Sequence, residues 1–224
     1  MIPAAARDRS QRWVGIAVSF GWAALAGLAF GPLYLRRCMQ WGTQPEERTA
    51  PLAGDKIGPH PATSYTMAVT VAATSRELWR WLVQIGQGRG GFYTHEWVEN
   101  LLGAEIDHAD RIVSRWQRLA AGDRIRLTPD PYLGQPGQFV TVVSVDPEHS
   151  LVFKQRLPNG SHASWVFVLR SQGDRTTRLL MRRRSEQPTL FDRLMMPGYV
   201  FMDCGMLSGL RTRAEMAGRA GLAR

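Results

Sequence analysis

Between Gln87 and Arg111 the chain gathers side chains able to handle a polar ligand: Arg89, Tyr93, Trp97, Asn100, His108, Asp110 and Arg111. Arg89 stands alone in the stretch Gly86-Gln-Gly-Arg-Gly-Gly91, where the missing Cβ atoms free the backbone to turn. A lone guanidinium there suits an enolate or another oxyanion. His108, two residues before Asp110, has the spacing of an acid/base histidine beside a carboxylate. The same two residues also suit a plain surface turn. Gly86, Gly88 and Gly91 match G-x-G-x-x-G, but a dinucleotide fingerprint follows a strand and opens a full helix. Here a helical pattern comes first. His95-Glu96-x-x-Glu99 lacks the second histidine of a zinc helix. Neither cofactor nor metal is expected.

Two short helices must position these groups. Leu78, Trp81, Leu82 and Ile85 recur at helical spacing, with Ser75 as cap and Gly86 as stop. Thr94 is the expected N-cap of a second helix, His95–Leu102, ended by Gly103. Alternation predicts strands over Tyr65–Val71, Asp123–Leu127, Gln138–Val145, Leu151–Gln155, Ser164–Arg170 and Thr176–Arg184. The intervening turns are short, so the last five strands are expected to run antiparallel. Arg182-Arg183-Arg184 then reads as a solvated strand end. Ala104–Ala121 reads as loop with one helical turn. Pro188–Met196 is a short helix broken at Pro197-Gly198, and Tyr199–Met216 a longer one.

Strands on one side and helices on the other make an α+β domain. Tyr199, Met202, Met206 and Leu210 share one helix face, and the sheet offers Val140, Val142, Phe153, Trp165, Phe167 and Leu180 opposite. If the sheet curves around that helix, Met202 and Met206 line a pocket with an adaptable wall. The same residues also fit a solid core.

The N-terminal stretch differs in kind. Residues 1–12 are polar, and Trp13–Leu35 contains 23 residues without a charge. That run is about 34 Å long as a helix, enough for one membrane span. A signal peptide cut near Ala24-Leu25-Ala26 and a buried soluble helix are the rival readings. Gly15, Ser19, Ala23, Gly27 and Gly31 fall four apart, a ridge through which two membrane helices can pair into a homodimer. Residues 36–63, rich in proline and glycine, read as a linker to a domain over 64–219, with 220–224 as tail. The formal net charge is +9, but the arginines are scattered and no aromatic–basic nucleic-acid motif accompanies them. A basic face against anionic lipid, with the domain on the cytoplasmic side, is the expected arrangement. Two cysteines give neither a disulfide framework nor a metal spacing.

The element order resembles the helix-grip fold of the START and birch-pollen-allergen superfamily, which includes polyketide cyclases. A membrane-tethered bacterial subgroup matches more closely. The matching pieces are Trp41-Gly42, Gly54-Asp55, Trp79 through Tyr93, Trp97-Val-Glu-Asn100, Ala109-Asp-Arg-Ile112, Gln117, Gly122-Asp123 and Arg213-Ala-Glu215. The chain departs at Thr94-His95-Glu96, where the subgroup has a serine, an aromatic and an aspartate, so no role is carried over to His95. The resemblance implies an apolar pocket between a curved sheet and the C-terminal helix, without metal or nucleotide. It implies no reaction, because fold does not fix function. Three functions follow as expectations: a tethered binder of an apolar small molecule, a cyclase or hydratase using His108, or a protein assembled through its membrane helix.

Overall fold

A computed structural model describes residues 31–101, 103–132, 136–157 and 159–222, and the chain divides into two compact units, Met1–Cys38 and Met39–Arg224. In the first unit, residues 31–38 are helical. The span expected over 13–35 and its ridge of small residues lie, up to residue 30, outside the described residues. Among the described residues no helix is long and apolar enough to cross a membrane.

The second unit holds a six-stranded antiparallel sheet in the order β1-β6-β5-β4-β3-β2. The strands are β1 (Thr63–Val71), β2 (Arg124–Arg126), β3 (Phe139–Asp146), β4 (Ser150–Arg156), β5 (His162–Ser171) and β6 (Thr177–Ser185). The helices are α1 (Pro45–Thr49), α2 (Ser75–Leu82), α3 (Glu96–Leu101) and α4 (Leu190–Leu222). A curved antiparallel sheet against a long C-terminal helix is the helix-grip α+β arrangement. Met67, Val69 and Val71 of β1 and Leu179 and Met181 of β6 form the inner face toward α4, all buried.

Three local expectations need correction. Thr74, not Ser75, caps α2: its hydroxyl accepts from the Glu77 amide while the Glu77 carboxylate takes the Thr74 N–H, a reciprocal capping box. The Thr94 hydroxyl makes no hydrogen bond and so does not cap α3. The helix expected to break at Pro197 continues as α4, 33 residues or about 50 Å long. Proline removes one N–H, but the following turns are held by tertiary packing of Val200, Met206, Leu207 and Leu210.

The largest correction concerns residues 36–63, which the sequence reads as a linker. Glu47 of α1 is 6% exposed and binds Arg178 through both oxygens, at 2.7 Å each. Arg182 donates all five N–H groups, to Thr66, Asp55 and the carbonyls of Glu47, Arg48 and Ala50. Arg184 faces Asp55 at 3.3 Å. The arginine run is therefore no solvated end. β6 lies between β1 and β5, and its outer face is covered by residues 41–55, whose turns required the prolines and glycines that read as linker.

Candidate functional site

The elbow after α2 closes on itself. Gly86 and Gly91 exchange amide–carbonyl bonds at 2.9 and 3.1 Å, and Gly86 has φ +130°, a region closed to most side chains. Arg89 folds back over this loop, its Nη2 donating to the carbonyls of Val83 (2.8 Å) and Trp116 (3.0 Å). Burial pulls its pKa below the ordinary arginine value. The guanidinium staples two loops, where the sequence suggested a ligand contact.

Tyr93 is fully buried with φ +60°. Its hydroxyl accepts from Gln84 Nε2 at 2.9 Å and donates to the Trp81 carbonyl at 3.3 Å. Burial pushes the phenol up to about 12, so it stays protonated. The Arg213 guanidinium lies 4.6 Å above the Tyr93 ring, within cation–π range. On α4, a Cβ at Gly209 would sit 1.9 Å from the Tyr93 carbonyl oxygen, so the bare backbone is what lets the elbow lie against that helix.

The other expected site residues scatter. Asn100 clasps Ile106 through both its N–H and its carbonyl, closing a loop. The His108 side chain is buried, with Nδ1 3.9 Å from the Glu96 carboxylate, while Asp110 and Arg111 are exposed. Trp97 is 71% exposed. Met202 is half-buried and Met206 fully buried. A groove of about 540 Å³ runs along Ala109, Asp110, Arg111 and Val113 to Trp116. Its lining comes from one loop, so it is a concavity of that loop and separate from the sheet–helix interface. Of the three groups in the enzyme reading, Arg89 is committed to two backbone carbonyls, Asp110 is exposed and the His108 side chain is buried. Among the described residues no group of three His, Cys, Asp or Glu side chains could hold a metal ion.

A different cluster sits on the inner face. Register places Tyr65, Arg183, Trp165 and Phe153 in one row across β1, β6, β5 and β4. Asp203 of α4, 3% exposed, descends onto this row. Arg183 grips it with Nε and Nη2, both at 2.8 Å, and the Tyr65 hydroxyl donates to Oδ2 at 2.7 Å. Such bidentate, charge-assisted pairs fix geometry as well as charge. Burial, then the neighbouring Asp203 carboxylate, holds the Tyr65 phenol well above its usual range. Burial works to lower the Arg183 pKa, but Asp203 outweighs it and the net shift is upward. The guanidinium carbon also lies 4.2 Å from the Trp165 ring centroid.

Chemically this trio is a hydrogen-bond donor. Asp203 is engaged three times and the Tyr65 proton already points at it. Arg183 keeps three of its five N–H groups unpaired. Trp165 is 3% exposed and its indole N–H has no acceptor. Sequence reading passed over Asp203, a single acid inside the apolar stretch Tyr199–Met206. That isolation was the available signal, since a buried carboxylate needs a cation.

No known protein-family profile matches the chain, and no curated protein matches it. Among solved structures, norcoclaurine synthase from Thalictrum flavum is similar at 13% identity, covering 72% of this chain and 92% of that one, with a TM-score of 0.44. A Mesorhizobium loti protein is 17% identical over 69% of this chain and 98% of its own, also at 0.44. A Chromobacterium violaceum protein is 9% identical over 68% and 96%, at 0.42. These likenesses are remote, and the site's function rests on its own geometry.

Proposed function

We propose that the chain is a membrane-tethered binding module that holds an apolar small molecule, lipid-like or polyketide-like, between the inner sheet face and the first half of α4. The supporting observation is a switch in burial along that helix. Val200, Asp203, Met206, Leu207, Leu210 and Ala214 are buried, whereas Leu190, Phe191, Leu194 and Met195 are 42–74% exposed. Large apolar side chains left open beside a few convergent polar groups are what a ligand mouth requires. The Arg183–Asp203 pair lies just past that boundary. Within the trio the Tyr65 proton is committed to Asp203, which favours binding over catalysis.

The tether in this reading is the uncharged run Trp13–Leu35, pairing as a homodimer through its small-residue ridge, with the basic domain on the cytoplasmic face. The test is native mass spectrometry of the full-length protein extracted from its own membrane. A co-purifying small molecule is expected. Its absence, with no uptake of Nile red by the full-length protein, sinks the reading.

A further inference from the structure

We infer that the ligand presents a neutral carbonyl oxygen, as in a ketone, quinone or ester, to Arg183 and Trp165. This rests on the binding reading above and adds the ligand's chemistry. The three arginines of β6 that the outer face holds show how fully this sheet can satisfy a guanidinium: Arg182 donates all five of its N–H groups. Arg183, one residue on, donates two. Its side chain is 32% exposed, so the three remaining donors can be reached from outside. The Trp165 N–H, buried and without acceptor, belongs to the ring that this guanidinium overlies. One unsatisfied buried donor, the Trp165 N–H, thus lies under a guanidinium whose spare donors face solvent. An acceptor that enters gains hydrogen bonds that water reaches poorly at a 3%-exposed ring.

Charge decides which acceptor. Asp203 already neutralises Arg183, and the Tyr65 phenol keeps its proton, so the cluster sums to zero. A second carboxylate would be desolvated against Asp203 with no cation left to balance it. A neutral carbonyl takes the same N–H groups without adding charge. Phe92, Phe153 and Phe167 pack around the Trp165 ring and are themselves buried, so the polar donors here sit against an apolar wall.

The test uses the full-length chain in amphipol with three probes on one ring system: fluorene, fluorenone and fluorene carboxylate. Equilibrium dialysis against protein-free amphipol removes partition into the carrier. Fluorenone is expected to bind about tenfold more tightly than fluorene, and the carboxylate less tightly than fluorenone. Trp165→Phe keeps the volume and removes one N–H, so the ketone-over-hydrocarbon ratio should fall to about threefold while fluorene affinity holds. The double variant Arg183→Met with Asp203→Asn removes both charges together and should bring the ratio to about one. Equal binding of fluorene and fluorenone by the wild type overturns the inference and leaves the binding module standing. Tightest binding by the carboxylate overturns it in favour of an anionic ligand. Binding of none of the three overturns both readings.

Discussion

Strand β6 carries four arginines, and its two faces treat them oppositely. On the outer face Arg178, Arg182 and Arg184 meet Glu47, Asp55 and a row of backbone carbonyls, and the first two are almost fully buried. On the inner face Arg183 meets one carboxylate and keeps most of its donors. The outer cluster fastens residues 41–55 across the sheet. The inner one fixes a guanidinium's direction without exhausting it. The same residue type, alternating along one strand, serves docking on one side and, in the proposed reading, recognition on the other. What separates the two is how many acceptors the neighbouring chain supplies.

The sharpest way to break this comparison is to remove an outer acid. Glu47→Ala leaves Arg178 buried at 9% with its counter-charge gone. Breaking a buried pair from one side costs about 3–5 kcal/mol, and urea unfolding should show a loss of that size. The same pair predicts an acid limit. The Arg178 hydrogen bond holds the Glu47 carboxyl below its ordinary value of 4.5 despite opposing desolvation. A depressed carboxylate contributes stability that is full above the unfolded value and is lost as pH falls through the lower folded one. Stability should therefore drop below about pH 4.5 in the wild type, and this slope should be shallower in Glu47→Ala. An unchanged slope would place the acid-sensitive groups elsewhere.

How much of this was legible follows the range of the interactions involved. Every strand was recovered to within about two residues, because alternation is local and each strand carries its own pattern. The docking of residues 41–55 was missed because its partners lie more than a hundred residues away: Glu47 to Arg178, Asp55 to Arg182. Proline and glycine there marked turns correctly, but turns alone cannot distinguish a tether from a packed strap. The elbow was found through its glycines, and the role given to Arg89 was not, since nothing local says whether a guanidinium bends back to carbonyls. Asp203 was visible only as an anomaly, one acid amid methionines and aromatics. The partner that explains it, Arg183, lies in a run that by sequence alone reads as a solvated strand end.

The inner pair offers a middle-sized test. Asp203→Asn keeps the shape and can still accept the Tyr65 hydroxyl, but it leaves Arg183 without a counter-charge. Arg183 is a third exposed, so water takes up part of that loss and the cost should be about 1–2 kcal/mol, well short of the outer variant. A loss equal to that of Glu47→Ala would make the inner cluster as structural as the outer one, and the two faces would no longer differ in kind.

The smallest expected effect on stability comes from the uncovered half of α4. Phe191 is 63% exposed and Leu194 67%, so neither contributes much buried area in the folded chain. Surface substitutions away from caps and cores usually change stability by no more than about 0.5 kcal/mol. The N-terminal cap stays intact in a Phe191→Ser/Leu194→Ser variant, because Thr189 and Asp192 bond each other independently of both. Urea unfolding of this double variant should therefore overlay the wild type. Ligand uptake should not. If these side chains form the apolar wall of the mouth that leads to Arg183, Nile red binding and any co-purifying molecule should both fall, with the buried row from Tyr65 to Phe153 untouched. Wild-type uptake in the double variant would detach the exposed half of α4 from the inner cluster, and the ligand's route would then have to be sought from the β2–β3 side of the sheet.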